Sequence, residues 1–535
     1  MDEQVVGGSA GEMPDDAAGA HVSPAASVTP NDPQYADCVR GGNQRYIGAP
    51  ESVRIVNSTE QVVQVVQEAV DNDKRLTVIS SGHCFEDFIF SPDVQIVIDM
   101  SQMDRTYYDP ARNAVAVESG ATLLKIYETM YKEWGVTIPA GLCYSVAAGG
   151  HVSGGAWGPS SRDHGLVVDH LYAVEVVVVR GNGRAHAVVA TRDPNDPNHD
   201  LWWAHTGGGG GNFGVVTRYW FRSPGATGTD PRGLLPQPPK ELLLSAIAWS
   251  WNDIDQTAFM NLARNYASWH VHNGDADNPL RAVTSYLILN HRSNGQLGLI
   301  TQVDATVPGA EQIFADYLRY ITDGVSAKTG ALTNAMTEHS PKPQFAEPIR
   351  LPWLEATRFN GTTNPAQNDP TYRAEFKSTF MRGVFPDQQL AALYQGLNAP
   401  TINNPLVGVQ FTPYGGRTRA VAPTATASVH RGAAFKMLFS AQWHDPTQDD
   451  VHISWARDTY GSLYPDTGGV PVPNDVTDGC YVNYPDADLS DPLYNRSGTP
   501  WYTLYYKENY PRLQQIKRRW DPRNFFRHRQ SVQLP

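Results

Sequence analysis

From residue 58 the chain sets up a helical rhythm. Val62, Val66, Ala69 and Val70 recur at three- and four-residue intervals behind Ser58-Thr59-Glu60-Gln61, which has the form of a capping box. The pattern predicts an amphipathic helix, ended by Lys74 and Arg75. "LTVI" (76–79) then reads as a short buried strand running straight into a glycine turn, "SSGHCFEDF" (80–88). Next come the strand-like "VQIVIDM" (94–100), the alternating "AVAVESGA" (114–121) and a helical "TLLKIYETMYKEWG" (122–135). "AVEVVVVR" and "AHAVVA" flank Gly181-Asn182-Gly183 and predict a hairpin.

Near residue 231, after "GATGTDPRG", the pattern shifts to longer strand candidates: "LLLSAIAWSW" (242–251), "AVTSYLILN" (282–290), "NPLVGVQFTPYGG" (404–416) and "GAAFKMLFSAQW" (432–443). Helices separate them, one near 449–461, and the set points to an α+β domain on an antiparallel sheet. The last run, "YKENYPRLQQIKRRWDPRNFFRHRQSV", predicts one more helix, ended by Pro522. No internal repeat is visible.

Composition narrows the functions. A chain of 535 residues is long for one core. Its 42 Lys+Arg against 55 Asp+Glu give a formal charge of -13, with no basic stripe, which argues against a nucleic-acid phosphate backbone as partner. No stretch approaches the roughly 20 apolar residues that span a bilayer. The acidic start "MDEQVVGGSAGEMPDDAAGAHVSP" has neither the basic end nor the apolar run of a secretory signal, so it reads as a disordered arm of a protein expected in the cytoplasm. Cys38, Cys84, Cys143 and Cys480 are too few and scattered for a disulfide framework, and no Cys-x-x-Cys spacing suggests a metal. The 13 Trp and 25 Tyr offer stacking surface for carbohydrate or polycyclic ligands, although large cores use aromatics equally.

Two glycine runs carry the candidate chemistry. In "HTGGGGGNFGVVTRYWF" (205–221), Gly209, Gly211 and Gly214 satisfy the G-x-G-x-x-G spacing of nicotinamide-binding folds, but that fingerprint needs a strand before it and a helix after. Here "DLWWAH" precedes and the β-branched, aromatic "VVTRYWF" follows. Five consecutive glycines, each costly in entropy, instead suit close approach of backbone to a flat or anionic ligand. The second run, "AGLCYSVAAGGHVSGGAWGPSSRDHG" (140–165), packed against "SSGHCF", would supply unhindered backbone N–H groups of the kind that make anion nests.

These segments, with "CYVNYPDADL" and "DPRNFFRHRQSV", resemble the berberine bridge enzyme-like flavin oxidases of the vanillyl-alcohol oxidase/p-cresol methylhydroxylase superfamily over roughly residues 35–535. Among its members the chain looks most like bacterial oxidases that tailor glycosylated or polyketide antibiotics. The resemblance implies an α+β fold: a two-part FAD-binding domain of the p-cresol methylhydroxylase type, over 35–230 and 476–535, and a substrate domain over 231–475 whose antiparallel sheet is backed by helices. Residues 1–34 are left as the disordered arm.

The resemblance also implies bicovalent FAD. His83 matches the histidine bonded to the flavin 8α-methyl carbon and Cys143 the cysteine bonded to C6; Cys38, Cys84 and Cys480 match no anchor. Val78, Ile79, Ser80, Ser81, Gly82, Cys84 and Phe88 are expected along the cofactor, with Ser145, Val146, Gly149, Gly150, His151, Gly154 and Gly155 from the second run. Gly214, Val215, Tyr481 and Asn483 complete that site. Tyr484 matches the family's catalytic tyrosine, and Tyr414 sits where related oxidases place a second catalytic acid or tyrosine. Strand alternation in "CYVNYPD" predicts Tyr481 and Asn483 on one face and Val482 and Tyr484 on the other. A small residue three positions after the anchoring cysteine, here Val146, leaves room for dioxygen, so hydrogen peroxide is the expected product. Trp157 departs from the smaller or tyrosyl aromatic common at its position.

The implied reaction is oxidation of a hydroxyl on a sugar or a bulky glycosylated natural product. An oligosaccharide C1-OH oxidase, an oxidative ring-closing enzyme, which would favour a carboxylate base, and a non-catalytic binder with aromatic grooves are the competing readings.

Overall fold

The computed structural model describes residues 22–362 and 369–535. Most of the arm expected over 1–34 lies outside the described residues, but its end is not disordered: β1 (Ala26–Val28) pairs antiparallel with β2 (Ser52–Ile55), and Val28 is buried in the small core beneath. With β3 (Leu76–Ile79) and β4 (Ile96–Asp99) they form a sheet ordered β1-β2-β4-β3, where β2 and β3 both run parallel to β4. The helix Thr59–Asp71 buries Val62, Val65, Val66 and Ala69 against Ile96 and Ile98, the face its spacing predicts. Its cap is half of a capping box. Ser58 Oγ accepts from the Gln61 N–H at 3.3 Å, while Gln61 Oε1 accepts from Asn57 N–H rather than from Ser58.

A second, antiparallel sheet comprises β5 (Thr106–Asp109), β6 (Ala114–Glu118), β7 (Leu171–Val179), β8 (Ala185–Thr191) and β9 (Val215–Phe221), ordered β5-β6-β9-β7-β8. The expected hairpin is β7–β8. Val176, Val177, Val178 and Val179 are all fully buried, which explains a run of valines with no polar alternation: both faces of β7 are covered. The rejected dinucleotide fingerprint has the reverse context, with helix His199–Ala204 before it and β9 after.

The third sheet holds β10 (Glu241–Ser250), β11 (Val283–Asn290), β12 (Gln296–Asp304), β13 (Thr329–Ala331), β14 (Ile349–Pro352), β15 (Arg373–Met381), β16 (Gly408–Pro413) and β17 (Phe435–Trp443), all in antiparallel pairs. Helices Gln256–His272, Ala310–Thr322, Asp387–Leu397 and Asp449–Leu463 back one face. The two-residue period of β16 and β17 then sorts side chains. Val409, Phe411, Phe435, Met437 and Phe439 enter the helix-backed core, which leaves Gln410, Thr412 and Lys436 on the opposite face, toward the first two sheets.

The end of the chain packs against the first part. Helix Tyr510–Trp520 buries Lys517, whose Nζ donates to Asp521 and to Asn212 O, both at 2.6 Å; Val532 N–H donates to Asn212 Oδ1 at 2.7 Å. A further pin joins the first part to the segment before β17. Arg431 donates bidentate to Asp169 at 2.7 and 2.9 Å, both side chains buried. Replacing Arg431 by Ala strands that carboxylate in the interior, so a loss of about 3–5 kcal/mol is expected, read as a fall in thermal midpoint.

Candidate active site

A cavity of about 350 Å³ opens where these parts meet, bordered by β3 and its following turn, the loop 141–147, the glycines 209–211, β16, β17 and the turn 481–484. The turn after β3 explains the Gly-His pair. Gly82 takes φ +76 and lies against Gly41, and its carbonyl accepts from Gly42 N–H at 2.8 Å, a left-handed close approach that suits glycine. Ser81 Oγ accepts from Ala147 N–H at 2.8 Å, fastening that turn to the loop 141–147.

His83 and Cys143 thereby converge on one hydroxyl. His83 Nε2 is 2.9 Å from Ser145 Oγ, and Cys143 Sγ is 3.8 Å from the same oxygen. Burial pushes the His83 imidazole down to about 4, so it is neutral near pH 7 and keeps a nucleophilic lone pair. Burial pushes the Cys84 thiol up to about 12, which keeps it protonated and inert. The residues present fit a flat, phosphate-bearing cofactor: His83 and Cys143 meet at one hydroxyl, and Gly150 and Gly210 leave open space where a Cβ would project. Gly209 and Gly211 take positive φ along the same wall, and Phe88 stacks on His528 at 4.5 Å, both rings lining the cavity.

Val78, Ser80, Ser81, Gly82, Cys84, Phe88, Val146, Gly149, Gly150, His151, Gly214, Val215, Tyr481, Asn483 and Tyr484 all border the cavity with the two anchors. The other expected positions do not. Ile79 is buried in the core with Val53 and Val97 and does not border the cavity. Ser145 acts from behind the anchors it touches. Gly154 and Gly155 border a separate cavity of about 20 Å³ behind Trp157 and Tyr481; a Cβ at Gly154 would stand 1.9 Å from Asn483 Oδ1.

Tyr414 also lies at that smaller cavity and not at the large one. Its ring is edge-on to Phe380 at 5.2 Å, and Phe380 separates it from Tyr481. The alternation that aims Gln410 and Thr412 at the cavity ends at Pro413, and the positive-φ pair Gly415-Gly416 turns Tyr414 aside. The segment 481–484 is not a strand either. Tyr484 N–H donates to Tyr481 O at 2.9 Å in a tight turn, so the two rings share a side, with centroids 5.0 Å apart.

Residues the sequence pattern did not single out complete the wall. Lys436, in the middle of β17, is 1 % exposed, with Nζ 3.4 Å from Tyr484 Oη. The ammonium also sits over the rings of Tyr481, Tyr484 and Trp157 at 4.5, 4.6 and 4.6 Å. Burial pushes Lys436 down to about 7, opposed by Glu338. Burial raises Tyr484 well above the ordinary phenol range. His151 takes the Gly141 N–H on Nε2 at 3.1 Å, and burial with the charge of Lys436 holds it down to about 3.

The clustered carboxyls Glu86, Glu375 and Asp486 lie within 4.8 Å of one another, but Arg45 and Lys377 neutralise them and Tyr46 and Ala487 donate to Glu86, which makes an internal ion network. Among the described residues no helix is long and apolar enough to cross a membrane.

Residues 50–187 match the model of an FAD binding domain, and residues 480–533 match berberine and berberine like proteins. The chain is 46% identical over 506 residues to the aclacinomycin-N/aclacinomycin-A oxidase of Streptomyces galilaeus, covering 94% of this chain and 89% of that one. It superposes at a TM-score of 0.91, with 44% identity, on a flavoenzyme involved in shunt product recycling in caerulomycin biosynthesis, covering 96% of this chain and 100% of the other. A glycopeptide hexose oxidase complexed with teicoplanin is also similar, with a TM-score of 0.88, 42% identity and coverage of 96% and 99%.

Proposed function

The chain belongs to the berberine bridge enzyme-like family of FAD-dependent oxidoreductases, and from that premise we propose that it oxidises a hydroxyl group of a sugar or of a glycosylated or polyketide natural product to a carbonyl. FAD, when bound, supplies the hydride acceptor and passes the electrons to dioxygen, giving hydrogen peroxide. His83 and Cys143 are the side chains proposed to hold it covalently, and the Gly149–Gly150 and Gly209–Gly211 backbones the surfaces proposed to admit it closely.

The observation that carries this reading is the 3.4 Å contact between Lys436 Nζ and Tyr484 Oη on the cavity wall. Alcohol oxidation needs a base for the hydroxyl proton. A phenol raised by burial is scarcely ionised alone, but a neighbouring ammonium stabilises its phenolate, and a lysine that burial pushes down to about 7 is partly neutral near pH 7 and can receive the phenolic proton as the phenol takes up the substrate's. Tyr484 and Lys436 therefore act as one unit, in which Tyr484 meets the substrate hydroxyl and Lys436 holds the charge. Trp157, edge-on to Tyr286 at 6.2 Å, forms the adjoining wall and would limit how the substrate ring enters.

The test is incubation of purified protein in air with a panel of sugars and glycosylated aglycones, measuring peroxide and product together. One peroxide should appear for each product that has lost two hydrogens and forms an oxime with hydroxylamine. A product lighter by two hydrogens that forms no oxime would instead assign ring closure. A protein carrying no flavin after expression with ample riboflavin would return the chain to the binding proteins.

A further inference from the structure

Among the described residues Glu338 is the only carboxylate that borders the large cavity, and it makes no hydrogen bond or ion pair with another described residue. The backbone goes to some length to place it there. Met336-Thr337-Glu338-His339 forms a tight turn closed by two backbone bonds of 2.8 and 2.7 Å, with Thr337 at φ +47. A β-branched residue in the left-handed region is strained by about 1–3 kcal/mol, and such strain persists where the surroundings enforce it. Here they do: His339 Nε2 bonds Gln410 Oε1 at 3.0 Å, tying the turn to β16, and Lys342 N–H donates to Leu332 O at 2.9 Å.

The groups facing this carboxylate are nearly all neutral. Tyr286 and Tyr484 are held protonated by burial, and His151 and His339 are pushed down to about 3 and about 4. Lys436 is the exception: among the described residues it is the cation that acts on Glu338, and Glu338 the anion that acts on Lys436. Among the described residues no ion pair joins the two, and both border the same cavity.

We propose that Glu338 is a positioning residue for the base, the counter-charge for the proton that the Tyr484–Lys436 unit takes from the substrate. The inference rests on the reading of that unit given above and deepens it. Before reaction the unit is neutral overall, either phenol and amine or phenolate and ammonium. As the carbinol carbon gives up its hydride to the oxidant, FAD, the hydroxyl proton moves to Tyr484 Oη, and where that oxygen still carries its own proton that one passes to the Lys436 amine. The unit is left as phenol and ammonium, one positive charge buried in the cavity wall, where Lys436 is 1 % exposed. An unpaired buried charge is costly. The Glu338 carboxylate across the cavity offsets it.

The pH dependence follows with a definite sign. The unit accepts a proton only while it lacks one, so kcat/KM rises with pH through the Lys436 step near 7. Glu338 is itself raised to about 7 by burial, with the charge of Lys436 opposing that rise. Its anion raises the proton affinity of Lys436, so removing that charge moves the acidic limb to lower pH and weakens the base.

The experiment is kcat/KM against pH for the flavin-loaded wild-type enzyme, Glu338→Gln, Glu338→Asp and Lys436→Met, with cofactor content read from absorbance. In Glu338→Gln the limb should fall by about one pH unit and the plateau by ~10-fold, with Glu338→Asp between it and wild type. An unmoved limb overturns the proposal, and so does a rise in KM alone, which would make Glu338 a substrate contact. If Glu338→Gln does not fold, the Glu338→Asp limb decides by the same criterion. Lys436→Met should lose the limb altogether. A limb that survives there sinks the Tyr484–Lys436 base itself, whereas its loss beside an unmoved Glu338→Gln limb sinks only the counter-charge.

Discussion

Tyr484→Phe is expected to keep its flavin and lose about 10²–10⁴ of its turnover, the usual worth of a positioned general base. The substitution is close to isosteric. The phenyl ring it leaves would retain the ring contacts of the native side chain, edge-on to Tyr481 at 5.0 Å and stacked toward Phe85 at 5.7 Å, and would still lie under Lys436. Only the hydroxyl goes, and with it the 3.4 Å contact to Lys436 Nζ. The loss should therefore fall on kcat, with KM little changed, because the phenolic oxygen matters most as the substrate proton moves. Anaerobic mixing with substrate, followed by the bleaching of flavin absorbance, isolates this step from reoxidation. Reduction at the wild-type rate would remove Tyr484 as the base and leave its ring as packing.

The proposed anchors were legible only through family resemblance: a histidine after a glycine turn and a cysteine in a glycine-rich loop match the family's motifs, and the fold brings His83 and Cys143 to one hydroxyl. Lys436 was half legible. Within "AAFKMLFSAQW" it breaks an apolar run at an interior strand position, and a lysine there must have a purpose, but the partner across the cavity is not written nearby. Glu338 was not legible at all, since "TEHSP" reads as an ordinary polar loop and its carboxylate gains meaning only when a strained turn delivers it opposite β17. The misreading of residues 481–484 as a strand has a definite cause. A two-residue period is valid only while a strand ladder continues, and here a tight turn closes on Tyr484 instead.

The second large effect concerns the anchors themselves. After denaturation the wild-type polypeptide should carry the mass of one FAD, and His83→Ala and Cys143→Ala should each still carry it through the remaining link, with reduced activity. The His83→Ala/Cys143→Ala double variant should release all of its flavin on denaturation and lose most of its turnover on dilution. The geometry supports this order. Both side chains sit at the same end of the cavity, each within reach of Ser145 Oγ, so one can act without the other, and the neutral imidazole of His83 is already in its nucleophilic form near pH 7. Ser145→Ala should leave both attachments chemically possible but loosen their alignment, giving a mixed population by mass. A cofactor fastened at one end does not need its reactive face enclosed to stay bound, and that face can then open toward Lys436, Tyr484 and a substrate too large for a sealed pocket. An unmodified chain from cells given ample riboflavin would break this chain of reasoning at its first link, because retention of the flavin would then have to come from enclosure, and the wall formed by Lys436, Tyr484 and Trp157 would have to be read as a lid over the cofactor.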